Sequence, residues 1–235
     1  MIRGIGGISA SSTRSARSSY ALDVESELFD PPGAAFGGMP RVLRAADFPD
    51  GAPTGPDVCG IDEAGRGPLA GPVAAGAAIL PADFPLEALG DSKALSAARR
   101  EAAYSLIVER AVAWSVAWAS PREIDELNIL QASLLAMRRA YLALGTTPRL
   151  VFVDGNRFPD LGRDSWPVIK GDAIVPAVMA GSILAKVARD RIMERYDRLY
   201  PEYGYSRHKG YPTAEHREAC RRYGPSPIQR STFKY

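Results

Sequence analysis

The sequence predicts an α/β domain with one mixed sheet and helices on both faces. Short apolar runs of strand length occur at Val58–Ile61, Val73–Leu80, Ala111–Ala119, Leu150–Val153 and Val168–Ile169. Longer segments with helical periodicity alternate with the later runs. The first two runs are joined by a short glycine-rich turn instead, which points to a mixed sheet.

Composition sets the outer bounds. The 235 residues are 46% apolar and 24% charged, as in a soluble globular protein of one large or two small domains. The net charge is only +2, but it is unevenly spread. From Lys186 onward, 12 Lys and Arg face 6 Asp and Glu, while the preceding part has 17 against 21. An acidic site with a basic flank suits a metal-using enzyme with a polyanionic substrate; solvated helix faces would give the same counts. The two cysteines, Cys59 and Cys220, make no disulfide framework and no zinc spacing. Pro68–Pro81 is the longest weakly polar run and is too short and too rich in Gly and Pro to span a bilayer. No membrane association and a cytoplasmic location are the expectation.

Residues 1–56 show no sustained periodicity and are expected to be a disordered tail and linker. Met1–Ser19 is rich in Gly, Ser and Arg, and the first acid is Asp23. It lacks a secretory apolar core, although acid-poor, Arg/Ser-rich sequence also describes a transit peptide. The domain is expected over 57–235. After strands Val58–Ile61 and Val73–Leu80, Asp91-Ser92-Lys93 lies in a loop. Ser96 starts a helix to about Arg110, and Ala111–Ala119 alternates around Val112, Trp114, Val116 and Trp118. Ser120-Pro121-Arg122-Glu123 combines an N-cap, a first-turn proline and a capping box. The helix that follows turns Leu127, Leu130, Leu134, Met137 and Tyr141 inward, with a break near Asn128 and an end at Gly145. Pro176 begins a long helix to Leu199; Tyr203–Pro212 is a Tyr/Gly/basic loop; Thr213 caps a last helix that Gly224 stops. The tail after Gly224 reads as basic and extended.

Four acids share one context. Asp62, Glu63, Asp154 and Asp172 each follow an apolar strand-like run. Strand ends on one sheet edge converge, so these carboxylates can meet. Such a cluster can hold two divalent ions, which activate a water and stabilise the leaving oxygen of a phosphodiester. Taken singly, each acid reads equally well as a polar turn. In isolation Gly65-Arg66-Gly67 is a tight turn, Tyr211 a core residue, and Lys93, Ser182 and Lys186 surface groups. No Ser-His-Asp or Cys-His set competes.

The segments DEAGRGPLAGPV, DSKALS, VDGNR, IKGDA, GSILAKVARDR, HKGYPTAEH and GPSPIQRS, in that order, resemble ribonuclease HII, the type 2 ribonuclease H family. The likeness covers Val58 to Phe233. It implies a ribonuclease H-like fold, a mixed five-stranded sheet flanked by helices, with a helical C-terminal extension from about residue 200. It implies a monomeric endonuclease that uses Mg²⁺ or Mn²⁺. The substrates would be RNA/DNA hybrids and ribonucleotides embedded in duplex DNA, cut to leave 3′-hydroxyl and 5′-phosphate ends. Asp62, Glu63, Asp154 and Asp172 match the family's catalytic, metal-binding acids. Asp190 is the rival for the fourth place, set aside because its helical surroundings suit an ion pair. Gly65, Arg66 and Gly67 match the loop that reads the ribose 2′-hydroxyl, and Tyr211 the tyrosine that stacks beside it. Lys93, Ser182 and Lys186 match phosphate contacts. Gly181 stands where the family often has Ala, loosening the helix start, and Gln229 where His is common. Another nuclease of this fold, a non-catalytic nucleic-acid-binding module and a small-molecule phosphatase are the alternatives.

Overall fold

The structure, a computed structural model, describes residues 41–90 and 95–234. Its five strands are β1 (Val58–Ala64), β2 (Val73–Ile79), β3 (Ala113–Ala119), β4 (Leu150–Asp154) and β5 (Trp166–Val168). They lie in the order β3-β2-β1-β4-β5. The β1–β2 and β2–β3 pairs are antiparallel; β1–β4 and β4–β5 are parallel. The mixed five-stranded sheet is therefore as expected. Helices follow as α1 (Ala97–Arg110), α2 (Pro121–Leu127), α3 (Ile129–Ala143), α4 (Gly171–Ile174), α5 (Pro176–Leu199), α6 (Tyr205–His208) and α7 (Ala214–Tyr223).

Local chemistry sets most helix ends. The Ser96 hydroxyl accepts from the Arg99 N–H at 3.3 Å to begin α1. Ser120 and Glu123 close a reciprocal capping box on α2, at 3.2 and 2.8 Å. Asn128, at φ 72°, breaks the helical run, and its side-chain oxygen then caps α3 through the N–H groups of Leu130 and Gln131. Thr213 caps α7, which Gly224 ends at φ 78°.

Several boundaries differ from expectation. β1 continues to Ala64, so Asp62 and Glu63 lie within the strand, opposite Gly76 and Ala75, rather than in the turn. Leu127 is exposed at the end of α2 instead of facing inward. In β3 the buried residues are Ser115 and Ala119, while Trp114 lies at the sheet edge against Tyr104 of α1. The fold also reaches back beyond residue 57. Leu43 is fully buried and pairs in parallel with Val168, donating to the Pro167 carbonyl at 2.8 Å. Phe48 packs edge-on against Phe152. Isolated anchors of this kind leave no periodic trace in a Pro/Gly-rich stretch. Residues 1–40 and Lys93 lie outside the described residues.

Both sheet faces are covered. On one, α3 presents Ala132, Ala136 and Ala140 to Ile61, Ala77 and Val153. On the other, α5 lies unusually close to β1 and β2, because glycines face it. A Cβ on Gly60 would fall 2.0 Å from the backbone of Ala177 and Val178, and one on Gly76 2.2 Å from the Gly181 carbonyl oxygen. Gly181 completes the contact: a Cβ there would sit 2.9 Å from the Gly76 oxygen and 3.3 Å from the Asp62 nitrogen. Its role is thus close approach to the sheet, not a loose helix start. Helix α5 is held where its next residue, Ser182, meets Asp62. Gly60→Ala forces this interface apart and should cost about 3 kcal/mol, the upper end of the usual overpacking range, measured by chemical denaturation. Gly181→Ala should cost less, because its added carbon meets backbone atoms at 2.9–3.3 Å where that of Gly60 meets them at 2.0–2.4 Å.

Candidate active site

Parallel pairing places the first two acids. Ile61 is level with Val153, so Asp62, within β1, lies beside Asp154, the last residue of β4. The chain leaves β5 through Lys170, at φ 58°, and Asp172 enters the first turn of α4. There the Asp172 N–H donates to Asp154 Oδ1 at 3.4 Å. One carboxylate oxygen each from Asp62, Asp154 and Asp172 fall within 4.8 Å of one another. Glu63 is not in this group. Strand side chains alternate, and Glu63 shares the α3 face with Cys59 and Ile61, where Arg66 meets it at 3.3 Å. Three of the four expected acids thus meet within 4.8 Å; Glu63 stands beside them, where its charge acts on Asp62 and its side chain lines the adjoining cleft. An unbroken strand through Ala64 carried that signal.

Asp62 is 3% exposed. Burial first, then the charges of Glu63 and Asp154, push its carboxyl well above the usual range. A Ser182 hydroxyl and the Glu63 N–H, the latter at 2.6 Å, oppose that shift by donating to it. Three hard oxygen donors crowded in this way fit a divalent cation, which would restore the ionised form.

One cleft of about 500 Å³ adjoins the acids. Its wall contains Gly65, Arg66, Gly67, Ser182, Lys186 and Tyr211, all six expected from the sequence and described. Gly65 has two reasons to be glycine: φ is +100°, and a Cβ would strike Arg189 Nε at 2.0 Å. Across the cleft, a Cβ on Gly67 would lie 3.5 Å from the ring of Tyr211, which is 44% exposed. Lys186 pairs with Asp190 at 2.8 Å, so Asp190 makes the ion pair expected of it. Arg100 also lines the cleft and approaches Asp190 at 3.9 Å. Nothing in the helical pattern around Arg100 singles it out.

The Tyr211 loop is tied down by two stacked histidines. His208 Nδ1 accepts from the Gly210 N–H at 3.1 Å, and His216 Nδ1 donates to the Tyr211 carbonyl at 3.0 Å. Their rings stack with centroids 4.6 Å apart. Burial holds His216 below the usual histidine range. Gln229 is buried beside this pair and accepts from Cys220 Sγ at 3.8 Å. The basic C-terminal part is also less solvated than its sequence suggests: Arg189 and Arg230 are 1% and 0% exposed.

Residues 59–235 match the family described as Ribonuclease HII. The chain belongs to that family. Its members are metal-dependent hydrolases of the ribonuclease H type, acting on the RNA strand of RNA/DNA hybrids. Ribonuclease H2 from Pyrococcus horikoshii OT3 is 30% identical, with a TM-score of 0.60 over 75% of this chain and 93% of its own. RNase HII of Archaeoglobus fulgidus, solved in complex with PCNA, is 28% identical, with a TM-score of 0.62 over 76% and 95%. Bst-RNase HIII in complex with Mn²⁺ shares the fold at 19% identity and a TM-score of 0.54, over 62% and 56%. Among the described residues, no helix is long and apolar enough to cross a membrane.

The charge on Asp62 gives a signed prediction. Its folded-state pKa is raised, so without metal the ionised carboxylate opposes folding as pH climbs above about 4, the unfolded value. Metal-free Asp62→Asn should therefore melt higher than wild type at pH 7. Added Mn²⁺ should reverse the order by stabilising wild type alone, as read by thermal denaturation with and without chelator.

Proposed function

We propose that this ribonuclease HII relative incises duplex DNA on the 5′ side of embedded ribonucleotides as well as cutting RNA/DNA hybrids. The observation that carries this reading is the placement of the Gly65-Arg66-Gly67 loop and Tyr211 in one cleft beside three clustered acids. Asp62, Asp154 and Asp172 would hold Mg²⁺ or Mn²⁺, with Glu63 nearby to assist water or product handling. Bound divalent metal supplies an activated water and stabilises the departing 3′ oxygen. Phosphorus gains the water oxygen and loses the 3′ oxygen, leaving a 3′-hydroxyl and a 5′-phosphate.

The chain's own groups do the positioning. Ser182 donates to Asp62 and favours its ionised, metal-binding form. Peptide groups of the glycine loop can hydrogen-bond a 2′-hydroxyl that deoxyribose lacks. Tyr211 offers an exposed ring face for the neighbouring sugar. Lys93, Ser182 and Lys186 are assigned to backbone phosphates, which fix register without reading sequence. The two cysteines are buried and unpaired, which accords with a reducing, cytoplasmic setting. We assign the working form as a monomer.

A duplex carrying one ribonucleotide should be nicked on its 5′ side only when Mg²⁺ or Mn²⁺ is present, and all-DNA duplex should survive. Equal cutting of both would assign the protein to a different nuclease activity. Asp154→Asn should lower kcat by at least about 100-fold, since outer-shell changes at metal sites alone cost roughly 10–100-fold. Lys186→Ala should weaken binding across sequences and flatten the log–log salt dependence by about one unit.

A further inference from the structure

The loop from Gly65 to Pro72 holds its shape around two buried guanidinium groups, those of Arg230 and of Arg189, the latter also reaching the cleft wall. Arg230, fully buried, donates through Nη2 to the Gly65 carbonyl at 2.6 Å and through Nη1 to Arg66 and Pro68 at 3.0 and 2.7 Å. Its Nε donates to Gly71 at 2.9 Å. The backbone around it follows the same loop: Arg230 N–H donates to Leu69 and Gly71 N–H to Ile228, both at 2.9 Å. Arg189 fills the space under Gly65 and donates to Ala70, Pro72 and Lys209 carbonyls. Neither arginine has a carboxylate partner among the described residues. Burying a guanidinium with only neutral acceptors is costly, and burial lowers the Arg230 pKa to about 9.

The direction of those hydrogen bonds has a geometric result. In a trans peptide the C=O and N–H point opposite ways. Carbonyls of Gly65 and Arg66 turned toward Arg230 therefore aim the N–H groups of Arg66 and Gly67 away from it. Those two N–H groups make no hydrogen bond among the described residues, and their residues line the cleft. The far side of the tail is pinned separately. Asp125, on α2, accepts from the Ser231 and Thr232 N–H groups at 2.9 Å each and from the Thr232 hydroxyl at 2.7 Å.

We propose that the segment Gln229–Thr232 is a latch that presets the substrate-reading loop, with Arg230 as its positioning residue and Asp125 as its anchor. The latch acts on the ribose reading proposed above and rests on it. Arg230 touches no substrate; it fixes the peptide planes that present two N–H donors to the ribonucleotide. Asp125 acts at one further remove, by holding the tail that carries Arg230.

The test uses the full chain and two labelled duplexes, one all-DNA and one with a single ribonucleotide, bound without added metal and then cleaved with Mn²⁺. Arg230→Gly should reduce the ribonucleotide preference in binding at least tenfold, about 1.4 kcal/mol, and millimolar guanidinium ion should restore part of it. Asp125→Ala should reduce the preference about threefold and raise KM more than it lowers kcat. A folded Arg230→Gly protein with wild-type preference would overturn the latch, as would one that is impaired but indifferent to guanidinium. Should Arg230→Gly not fold, an unchanged preference in Asp125→Ala overturns it instead. Wild type lacking any ribonucleotide preference would sink the ribose reading itself, a result distinguishable from failure of either variant.

Discussion

Everything at the active site depends on Asp62 being a buried carboxylate with other carboxylates for neighbours. Water cannot reach it to screen its charge, and parallel pairing sets Asp154 alongside. The fold supplies only weak relief, a hydroxyl from α5 and one backbone N–H. That shortfall is what gives the site its appetite for a cation. A cluster fully neutralised by arginines would be a structural ion-pair network and would have no vacancy for metal chemistry.

Helix α5 links this electrostatic demand to packing. It bears Ser182, Lys186 and Arg189 on successive turns, so one rigid element serves the acids, the cleft and the underside of the glycine loop. The approach works because three glycines remove the side chains that would separate helix from sheet. Close-packed backbone is poorly compressible, and the Asp62–Ser182 geometry inherits that stiffness.

Much of this was legible in the sequence, and the failures are informative. Caps at Ser96, Ser120, Asn128 and Thr213 obey local rules, so their elements fell where the residues indicated. The convergence of Asp62, Asp154 and Asp172 follows from β1, β4 and the turn after β5 lying side by side in one sheet. Glu63 stands outside that group because β1 runs on to Ala64, and period-two alternation turns neighbouring strand residues to opposite faces. Arg189 and Arg230 entered the count of the basic flank like any other cation, because arginine is seldom buried, yet both are. All but one of their carbonyl partners lie more than a hundred positions away in the chain, beyond any local pattern. The 41–56 stretch hid its anchors, Leu43 and Phe48, among turn-forming residues.

The distance along the chain between Gly65 and Arg230 also has a temporal side. During translation the glycine loop emerges long before the guanidinium that shapes it, since 165 positions separate them. A growing polypeptide could already bring Asp62 and Asp154 together while the peptides proposed to read ribose still lacked their template. Discrimination between sugars would then be among the last properties the nascent enzyme acquires.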